Sequence, residues 1–277
     1  MWALREWVGP HFASAGNELA QYATWCNAVE GNTTFYGLPS ERAVQGWAEA
    51  VPAAFRFNFK LPRSITHDRR LRSAEAELAE FLTRTEPLRP NLGPTSVQLP
   101  ASFAPGDLPV LVRFLEALPT SRPWAVEVRH SGFFDGGVIE RELNDQLFRC
   151  GVDRVILDSR AVFAGPRETA AEIEAFANKP RLPVRATATS QYPTVRFIGQ
   201  TDPEANPAFW EKWVPKVADW IDQGRQPTVF LHTPDNVAAI GLARRFFAEV
   251  EALVEGLQPL PIPAIPSMPE QSTLFEG

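Results

Sequence analysis

Hydrophobic and polar positions along the chain follow two patterns in turn. Short runs of β-branched or aromatic residues, typical of strands, alternate with longer amphipathic stretches, typical of helices. The pattern predicts eight strands, at residues 2–7, 27–31, 55–61, 95–99, 124–129, 152–158, 194–198 and 228–232. It predicts helices near residues 17–26, 40–50, 73–86, 107–118, 138–149, 168–178, 207–223 and 236–255. This alternation is typical of βα units in a parallel sheet.

Eight βα units within about 255 residues predict an α/β fold with one closed (β/α)8 TIM-like barrel, since an open doubly wound sheet more often has about five to seven strands. We therefore expect a single barrel domain over residues 1–256. The pattern stops after Gly256. Residues 257–277 are rich in proline and predict a disordered tail with polyproline II character.

Alternation along the predicted third strand indicates which side chains face the interior. Phe55, Phe57 and Phe59 share one apolar face, which places Asn58 and Lys60 on the opposite, inward face. The same test places further polar side chains inward, near the carboxyl ends of their strands: Glu30, Asn32, Gln98, Glu127, Arg129, Asp158, Arg196 and His232. Barrel enzymes carry their catalytic groups at these ends.

The inward-facing groups combine carboxylates with permanent cations. The candidate catalytic residues are Glu30, Lys60, Glu127 and Asp158, with Glu30 or Glu127 as general base. Arg129 and Arg196 suit the binding of a carboxylate or phosphate group. We hypothesise a hydrolase or lyase that acts on a small anionic or phosphate-bearing substrate. The alternative is an internal ion-pair network with a structural role, because buried charges require partners.

The net charge limits the classes of partner. A formal charge of −6 and a pI near 5.4 leave no global basic field for nucleic acid or an anionic membrane. If the protein nevertheless processes nucleic acid, the arginine-rich segment at residues 63–72 offers a local surface for phosphate. No P-loop or GxGxxG motif is present, so no nucleotide cofactor is expected. The sequence resembles no signal peptide and has no long apolar run, which predicts a cytoplasmic protein without a membrane span.

Metal binding is a further alternative. His130 and His232 are two of only four histidines, and both fall at or just after strand ends. A mononuclear site would combine one of them with Glu127 or Asp158, but no HExxH motif or comparable spacing supports it. The identity and presence of a metal therefore stay open.

Four stretches together resemble one known family. They are VEGNTTFY at residues 29–36, FNFK at 57–60 with Thr66 and His67, VQLP at 97–100, and EVRH at 127–130. In these stretches the chain resembles the bacterial family called domain of unknown function 72, the YecE-like proteins. The resemblance implies a (β/α)8 barrel without an established activity. Family members open with a glycine-containing strand ahead of the region that matches Trp2, so we expect the first strand here to be incomplete.

The motifs and the strand ends together indicate the candidate substrate-binding residues. These are Asn32, Tyr36, His67, Gln98, Arg129, His130, Arg196 and Asn236. The last predicted strand continues as FLHTPDN at residues 230–236, where the family has a Tyr-Phe-Asn type of run. No role is therefore transferred to His232 from the resemblance.

The tail carries a second similarity. Gln271, Leu274 and Phe275 form a QxxLF pattern, similar to the short peptide by which bacterial proteins bind the DNA polymerase sliding clamp. A polyproline-like stretch before this peptide would hold it away from the barrel. The alternative function is therefore a non-catalytic or nucleic-acid-processing protein that its tail recruits to the clamp. The competing interpretation is an accidental match in an unstructured terminus.

Overall fold

The computed structural model describes residues 2–263, which form an α/β architecture. Its strands are β1 (Ala28–Gly31), β2 (Arg56–Phe59), β3 (Thr95–Gln98), β4 (Trp124–Glu127), β5 (Asp153–Arg154), β6 (Ile156–Asp158), β7 (Thr194–Ile198) and β8 (Thr228–His232). Its α-helices are α1 (Glu18–Tyr22), α2 (Thr33–Tyr36), α3 (Glu41–Ala50), α4 (Glu75–Arg84), α5 (Leu108–Glu116), α6 (Val138–Cys150), α7 (Arg160–Ala164), α8 (Ala170–Asn178), α9 (Pro207–Trp210), α10 (Trp213–Asp222) and α11 (Ala239–Glu251). Shorter helical turns are Arg5–Trp7, Ser64–Asp68, Glu86–Asn91, Pro105–Asp107, Ser131–Phe134 and Pro203–Ala205.

The strands form three small parallel sheets. One contains β1 and β2, the second β3, β4 and β5, and the third β6, β7 and β8. None of the three closes on itself, so the prediction of a single closed (β/α)8 barrel is wrong. The alternation of parallel strands with helices, which led to that prediction, is present over most of the chain.

The first predicted strand is where the pattern and the structure differ most. Residues 2–7 contain the helical turn Arg5–Trp7 instead of a strand. The ring of Trp2 packs edge-on against Trp47 at 5.3 Å, and that of Trp7 against Phe12 at 5.8 Å. Trp7 is buried and Trp2 is partly buried by this packing among helices and loops. Burial of aromatic rings in this way favours the observed turn.

The three sheets meet through short contacts rather than continuous ladders. Single bridges, Phe57 to Leu92 and Lys60 to Ser96, join β2 to the segment around β3. Val155 interrupts the run between β5 and β6. Within residues 2–263 no ladder pairs β8 with β1, and a cavity of about 400 Å³ lies between these two strands.

The outer faces of the strands build the hydrophobic core. Phe55, Phe57 and Phe59 are fully buried on the side of α3, where the ring of Trp47 stacks on Phe59 at 5.8 Å. This arrangement confirms the apolar face predicted for that strand. Each buried aromatic ring removes a large apolar area from water, which makes such rings dominant contributors to core stability.

The ends of several helices carry residues whose backbone preferences suit helix termini. Asn206 directly precedes α9, which begins with Pro207, a residue whose fixed φ and missing N–H suit a first helical position. Gly224 and Gly256 follow helices with φ of 78° and 75°, a left-handed conformation that favours glycine. No helix within residues 2–263 is long and apolar enough to cross a membrane.

A side chain at Gly31 would collide with the ring of Phe59. An alanine Cβ at this buried position would lie closer to two ring carbons than carbon atoms normally approach. We expect Gly31→Ala to lower the free energy of unfolding by about 1–3 kcal/mol, measured by urea denaturation. The matched control is Gly241→Ala in α11, where the Cβ meets nothing within 4 Å and helix propensity should add about 0.5–1 kcal/mol. Equal stability of Gly31→Ala and the unsubstituted chain would contradict the close packing.

Candidate functional site

Charged side chains from all three sheets meet at the carboxyl ends of the strands. Glu30 lies in β1, Glu127 ends β4 and Arg196 lies in β7, so each belongs to a different sheet. Lys60 directly follows β2, and Arg129 follows β4 by two residues. Because strand side chains alternate, residues of one parity share a face and converge at one end. We call these five residues, Glu30, Lys60, Glu127, Arg129 and Arg196, the charged cluster.

Arg196 holds the charged cluster together. Its Nε lies 2.5 Å from Oε1 of Glu30, and its Nη2 donates to Oε2 of the same carboxylate at 3.1 Å. Its Nη1 donates to Oε2 of Glu127, also at 3.1 Å. All three side chains are buried. Burial opposes the charge of the guanidinium, but the two carboxylates outweigh it and raise the pKa of Arg196 above its usual value.

Three further side chains surround the carboxylate of Glu30. Asn32 donates its Nδ2 to Oε2 at 3.0 Å, while Nζ of Lys60 lies 3.8 Å and Nε2 of His232 lies 3.6 Å from the same oxygen. Nδ1 of His232 lies 3.3 Å from Oδ1 of Asn236. The structure therefore brings the predicted residues Asn32 and Asn236 to the charged cluster.

Arg129 is the cation of the charged cluster that reaches solvent. Its Nε and Nη2 both lie 2.6 Å from Oε1 of Glu127, and 24% of its side chain is exposed. Gln98 is the neighbour of Glu127 in the β3–β4 register. His67 lies close enough for Arg129 to affect it: partial burial, with added effects of Arg129 and Arg63, lowers the pKa of His67.

Neither carboxylate of the charged cluster suits a general base near neutral pH. Burial alone would raise both pKa values, but Arg196 and Lys60 hold the pKa of Glu30 well below its usual range. Arg129 and Arg196 likewise lower the pKa of Glu127 to about 2. A general base works best when its pKa lies near the operating pH. These low pKa values do not favour the predicted base role of Glu30 or Glu127, and both carboxylates form ion pairs with the cations of the cluster.

Lys60 is the member of the charged cluster whose pKa lies closest to neutral. Burial lowers its pKa to about 8; Glu30 opposes the shift, while Arg196 and Arg129 add to it. Lys179, directly after α8, is a further cation beside the cluster, and burial together with Arg196 lowers its pKa too. Sequence reasoning missed Lys179 because it follows a helix, where no strand alternation marks an inward position.

Several buried polar atoms near the carboxyl ends of the strands have no hydrogen-bond partner within residues 2–263. They are Oδ1 of Asn32, both amide atoms of Asn58, Oε1 of Gln98 and Nε2 of His232. An unpaired buried polar group costs about 1–3 kcal/mol, so such groups normally bind a partner or ordered water. These atoms therefore offer donors and acceptors to a polar ligand.

Asp158 is bound by groups outside the charged cluster. Its carboxylate accepts hydrogen bonds from Nε and Nη2 of Arg160 at 3.0 and 2.7 Å, and from Nε1 of Trp213 at 2.8 Å. The side chain is fully buried. These bonds link β6 to α7 and α10, which is a structural role. We therefore leave Asp158 out of the proposed site.

Two predicted binding residues also lie apart from the cluster. His130 accepts a hydrogen bond from the amide of Gly132 at 3.0 Å, which holds the turn Ser131–Phe134. Tyr36, at the end of α2, has 83% of its surface exposed. Neither side chain contacts a member of the charged cluster through a hydrogen bond or ion pair in the part of the chain that the structure describes.

The arginine-rich segment at residues 63–72 is largely neutralised by acidic neighbours. Its ion pairs are Arg63 with Asp68 at 3.3 Å, Arg69 with Glu77 at 2.5 Å, Arg70 with Asp107 at 2.8 Å and Arg72 with Asp107 at 3.1 Å. The segment therefore leaves little free positive charge for a phosphate backbone. This disfavours the alternative of a nucleic-acid-processing protein.

Metal ligands are not gathered in one place. Among residues 2–263, no group of three or more His, Cys, Asp or Glu side chains is placed to hold a metal ion. The site weighed from the sequence, His130 or His232 with Glu127 or Asp158, therefore has no complete ligand set there. Cys26 and Cys150 are free thiols.

Comparison with known proteins shows the same family in sequence and in fold. The chain matches the model of the family described as "Protein of unknown function DUF72" over residues 1–267. It is 42% identical over 273 residues to "UPF0759 protein YecE" of Escherichia coli (strain K12), and the match covers 98% of both chains. A solved DUF72 family protein from Thermotoga maritima MSB8 is similar with 21% identity and a TM-score of 0.66, over 91% of this chain and 96% of that one. Another, from Enterococcus faecalis V583, has 19% identity and a TM-score of 0.63, over 83% and 93%.

The parallel βα units define an α/β protein. The charged groups at the carboxyl ends of its strands form a candidate ligand site at that end. The chain belongs to the DUF72 family, which confirms the resemblance seen in its motifs. Three of the motif stretches carry members of the charged cluster: Glu30, Lys60, and Glu127 with Arg129.

Removal of one charge from the cluster should destabilise the protein in a pH-dependent way. Because the pKa of Glu127 is depressed to about 2, its stabilising contribution is fully present above its ordinary value of 4.5 and is lost as the pH falls toward 2. We expect Glu127→Gln to lower the free energy of unfolding by about 3–5 kcal/mol at pH 7, since Arg196 and Arg129 lose their shared partner. Urea denaturation at several pH values should show this difference shrinking below pH 4.5.

The matched control for this measurement is Glu80→Gln. Glu80 is an exposed glutamate that lies 3.9 Å from Arg84 on α4, and its removal should change stability by no more than about 0.5 kcal/mol. If Glu127→Gln lowers the free energy of unfolding by the same amount at pH 7 and at pH values well below 4.5, the assigned ion pairs would be contradicted.

Proposed function

We propose that the protein binds a small anionic substrate at the charged cluster and acts on it as a hydrolase or lyase. The observation that carries this proposal is the charge of the cluster: three cationic side chains surround two carboxylates at a buried position. An anionic group of a ligand would supply the missing negative charge. The unpartnered amide atoms of Asn58 and the unpartnered Oε1 of Gln98 would supply neutral hydrogen bonds.

Arg129 is the entry point for such an anion. The guanidinium of Arg196 is occupied by Glu30 and Glu127, whereas Arg129 contacts only one oxygen of Glu127 and retains exposed surface. A planar guanidinium binds carboxylate or phosphate oxygens through charge-assisted hydrogen bonds. A ligand anchored there would lie at the same strand ends as Lys60, whose pKa Arg129 lowers.

Lys60 would supply the reactive group of either reaction class. Its depressed pKa, about 8, leaves part of the amine population uncharged near neutral pH. A free amine can accept a proton from water in a hydrolase, or from a carbon or hydroxyl group in a lyase. Ion pairs fix the carboxylates of Glu30 and Glu127, so the electrostatic field that they exert on the amine would stay constant while the substrate changes charge.

Binding of simple anions tests this proposal. We expect inorganic phosphate or malonate to raise the melting temperature of the full chain in a saturable manner, because either ion neutralises the surplus charge. Arg129→Gln should weaken that binding at least about tenfold, which corresponds to one lost charge-assisted hydrogen bond. Arg89→Gln is the control, since Arg89 is an exposed arginine paired with Glu86 in the turn before β3. Equal anion binding by Arg129→Gln and Arg89→Gln, or no binding by the unsubstituted chain, would refute the proposed site.

The sliding clamp is a second candidate partner, favoured by the QxxLF pattern of the tail. Gln271, Leu274 and Phe275 lie outside the described residues. The last described part of the tail is attached to the fold, because Leu260 is buried and the carbonyl of Pro261 accepts a hydrogen bond from Arg244 at 3.0 Å. In this alternative the tail would recruit a non-catalytic or nucleic-acid-processing protein to the clamp.

Deletion of residues 270–277 separates this alternative from an accidental match. We expect the full chain to retain purified sliding clamp in a pull-down, and the deletion variant or the pair Leu274→Ala with Phe275→Ala to lose it, since peptide binding depends on a few apolar anchors. Glu270→Ala, outside the pattern, is the control and should still bind. Retention of clamp by the deletion variant would exclude the tail as the binding element.

A further inference from the structure

We propose that Lys60 is a covalent nucleophile that forms a Schiff base with the carbonyl carbon of a small 2-oxo acid. This inference rests on the proposed function, because it uses the same anion site and selects the lyase branch. Its structural basis is a nearly enclosed amine at the end of a strand, 3.8 Å from Oε2 of Glu30 and at the same strand ends as Arg129. A 2-oxo acid joins the two chemical features that the site addresses, a carboxylate and an adjacent electrophilic carbon.

The backbone of Lys60 is fixed on both sides. Its N–H donates to Oγ1 of Thr34 at 3.3 Å, and its carbonyl accepts from the same hydroxyl at 2.7 Å. On the other side it forms a parallel bridge to Ser96, and the amide of Leu61 donates to the Ser96 carbonyl at 2.9 Å. A catalytic group on such a rigid element keeps its geometry more accurately than a group on a loop.

The amine of Lys60 is enclosed, and its ion pair with Glu30 is a long one. Only 9% of the side chain is exposed, and the separation of Nζ from Oε2 of Glu30 is 3.8 Å, longer than a hydrogen bond. Burial, together with Arg196 and Arg129, lowers the pKa of this amine to about 8. The lone pair of the uncharged amine is therefore available to attack carbon.

The composition of the chain sets Lys60 apart. The sequence has 27 lysines and arginines, of which only four are lysines: Lys60, Lys179, Lys212 and Lys216. An arginine at residue 60 would provide a permanent charge for anion binding, and it could not become a nucleophile. A lysine in a cluster whose other cations, Arg129 and Arg196, are arginines thus fits a role that requires a removable proton.

Arg129 completes the recognition of a 2-oxo acid. The carboxylate of the ligand would bind the exposed edge of its guanidinium, and the adjacent carbonyl carbon would then lie toward Nζ of Lys60. The unpartnered Nδ2 of Asn58 would donate to a remaining oxygen of the ligand, and the unpartnered Oε1 of Gln98 would accept from the hydroxyl group of the carbinolamine. Ligands with a carbonyl group but no carboxylate lack this anchor and should react poorly.

The proposed step balances without a further reactant. The ammonium of Lys60 first releases one proton, and the neutral Nζ then forms a bond to the carbonyl carbon. A proton passes from nitrogen to the former carbonyl oxygen, which gives a carbinolamine. The hydroxyl group leaves as water with the proton that the ammonium had released, and the nitrogen lone pair forms the C=N bond. Ammonium and ketone are thereby converted into iminium and water, with no oxidation or reduction.

Reductive trapping tests the assignment directly. The full chain is incubated at pH 8 with pyruvate and sodium cyanoborohydride, which reduces an iminium to a stable secondary amine. Intact-mass measurement should show a reduced pyruvate adduct, and peptide mapping should place it on Lys60 with a preference of roughly tenfold or more over Lys212 and Lys216, because burial lowers the pKa of Lys60 to about 8. Lys179, whose pKa is also lowered, and the N-terminal amine are mapped in the same experiment, and adduct on either of them instead of Lys60 would overturn the assignment. Acetone, which lacks a carboxylate, should give little adduct under the same conditions.

Variants and a binding measurement distinguish the possible outcomes. Lys60→Arg should fold, as judged by circular dichroism, and should form no adduct, whereas Lys216→Arg on α10 should react as the unsubstituted chain does. If Lys60→Arg does not fold, peptide mapping of the unsubstituted chain still decides whether the pyruvate adduct lies on Lys60. Saturable binding of malonate without a pyruvate adduct on Lys60 would overturn the Schiff base and leave the proposed function standing. Absence of both binding and adduct would overturn both.

Discussion

The arrangement of the strand ends depends on the ion pairs of Arg196. This one side chain, on β7, binds carboxylates on β1 and on β4, and each of these strands belongs to a different sheet. Hydrogen-bonded ladders hold each sheet together internally, but they do not continue from one sheet to the next. The buried guanidinium thus adds a side-chain connection to the single backbone bridges between sheets, such as Lys60 to Ser96. The free-energy cost of enclosing three charges is offset by their mutual attraction. Lys60 and Arg129 depend on this connection, since Lys60 pairs with Glu30 and Arg129 with Glu127.

Local sequence patterns predicted the positions of the strands better than the way in which the strands pair into sheets. Seven of the eight predicted strand segments contain strands, because alternation in segments such as 55–61 reports directly which face is buried. The segment at residues 2–7 has apolar residues at suitable positions, yet Trp2 and Trp7 pack with distant aromatic rings that no local pattern reveals. Closure of a sheet depends on pairing between distant segments, which the count of βα units does not determine.

The candidate site shows the same limit at the level of side chains. Alternation correctly indicated that Glu30, Glu127 and Arg196 face inward together, since each lies opposite an aliphatic neighbour. It also grouped Asp158 with them, but a carboxylate takes the nearest suitable donor, and Arg160 is two residues away. The alternation of faces also does not show how neighbouring charges shift pKa values. The sequence suggested Glu30 or Glu127 as the base, but neighbouring cations lower the pKa of both carboxyl groups. Burial moves the pKa of Lys60 toward neutrality instead.

The hydroxyl of Thr34 has a consequence for ligand selection. Buried at the start of the segment after β1, it bonds the carbonyl of Gly31 at 3.2 Å and both backbone groups of Lys60. The backbone of Lys60 and that of Gly31, next to Glu30, are therefore tied to one hydroxyl group. A site of this kind discriminates by length: a ligand either matches the fixed span between its anchor and the amine or binds without reacting. Selectivity would then follow from the number of atoms in the ligand more than from the strength of any single contact.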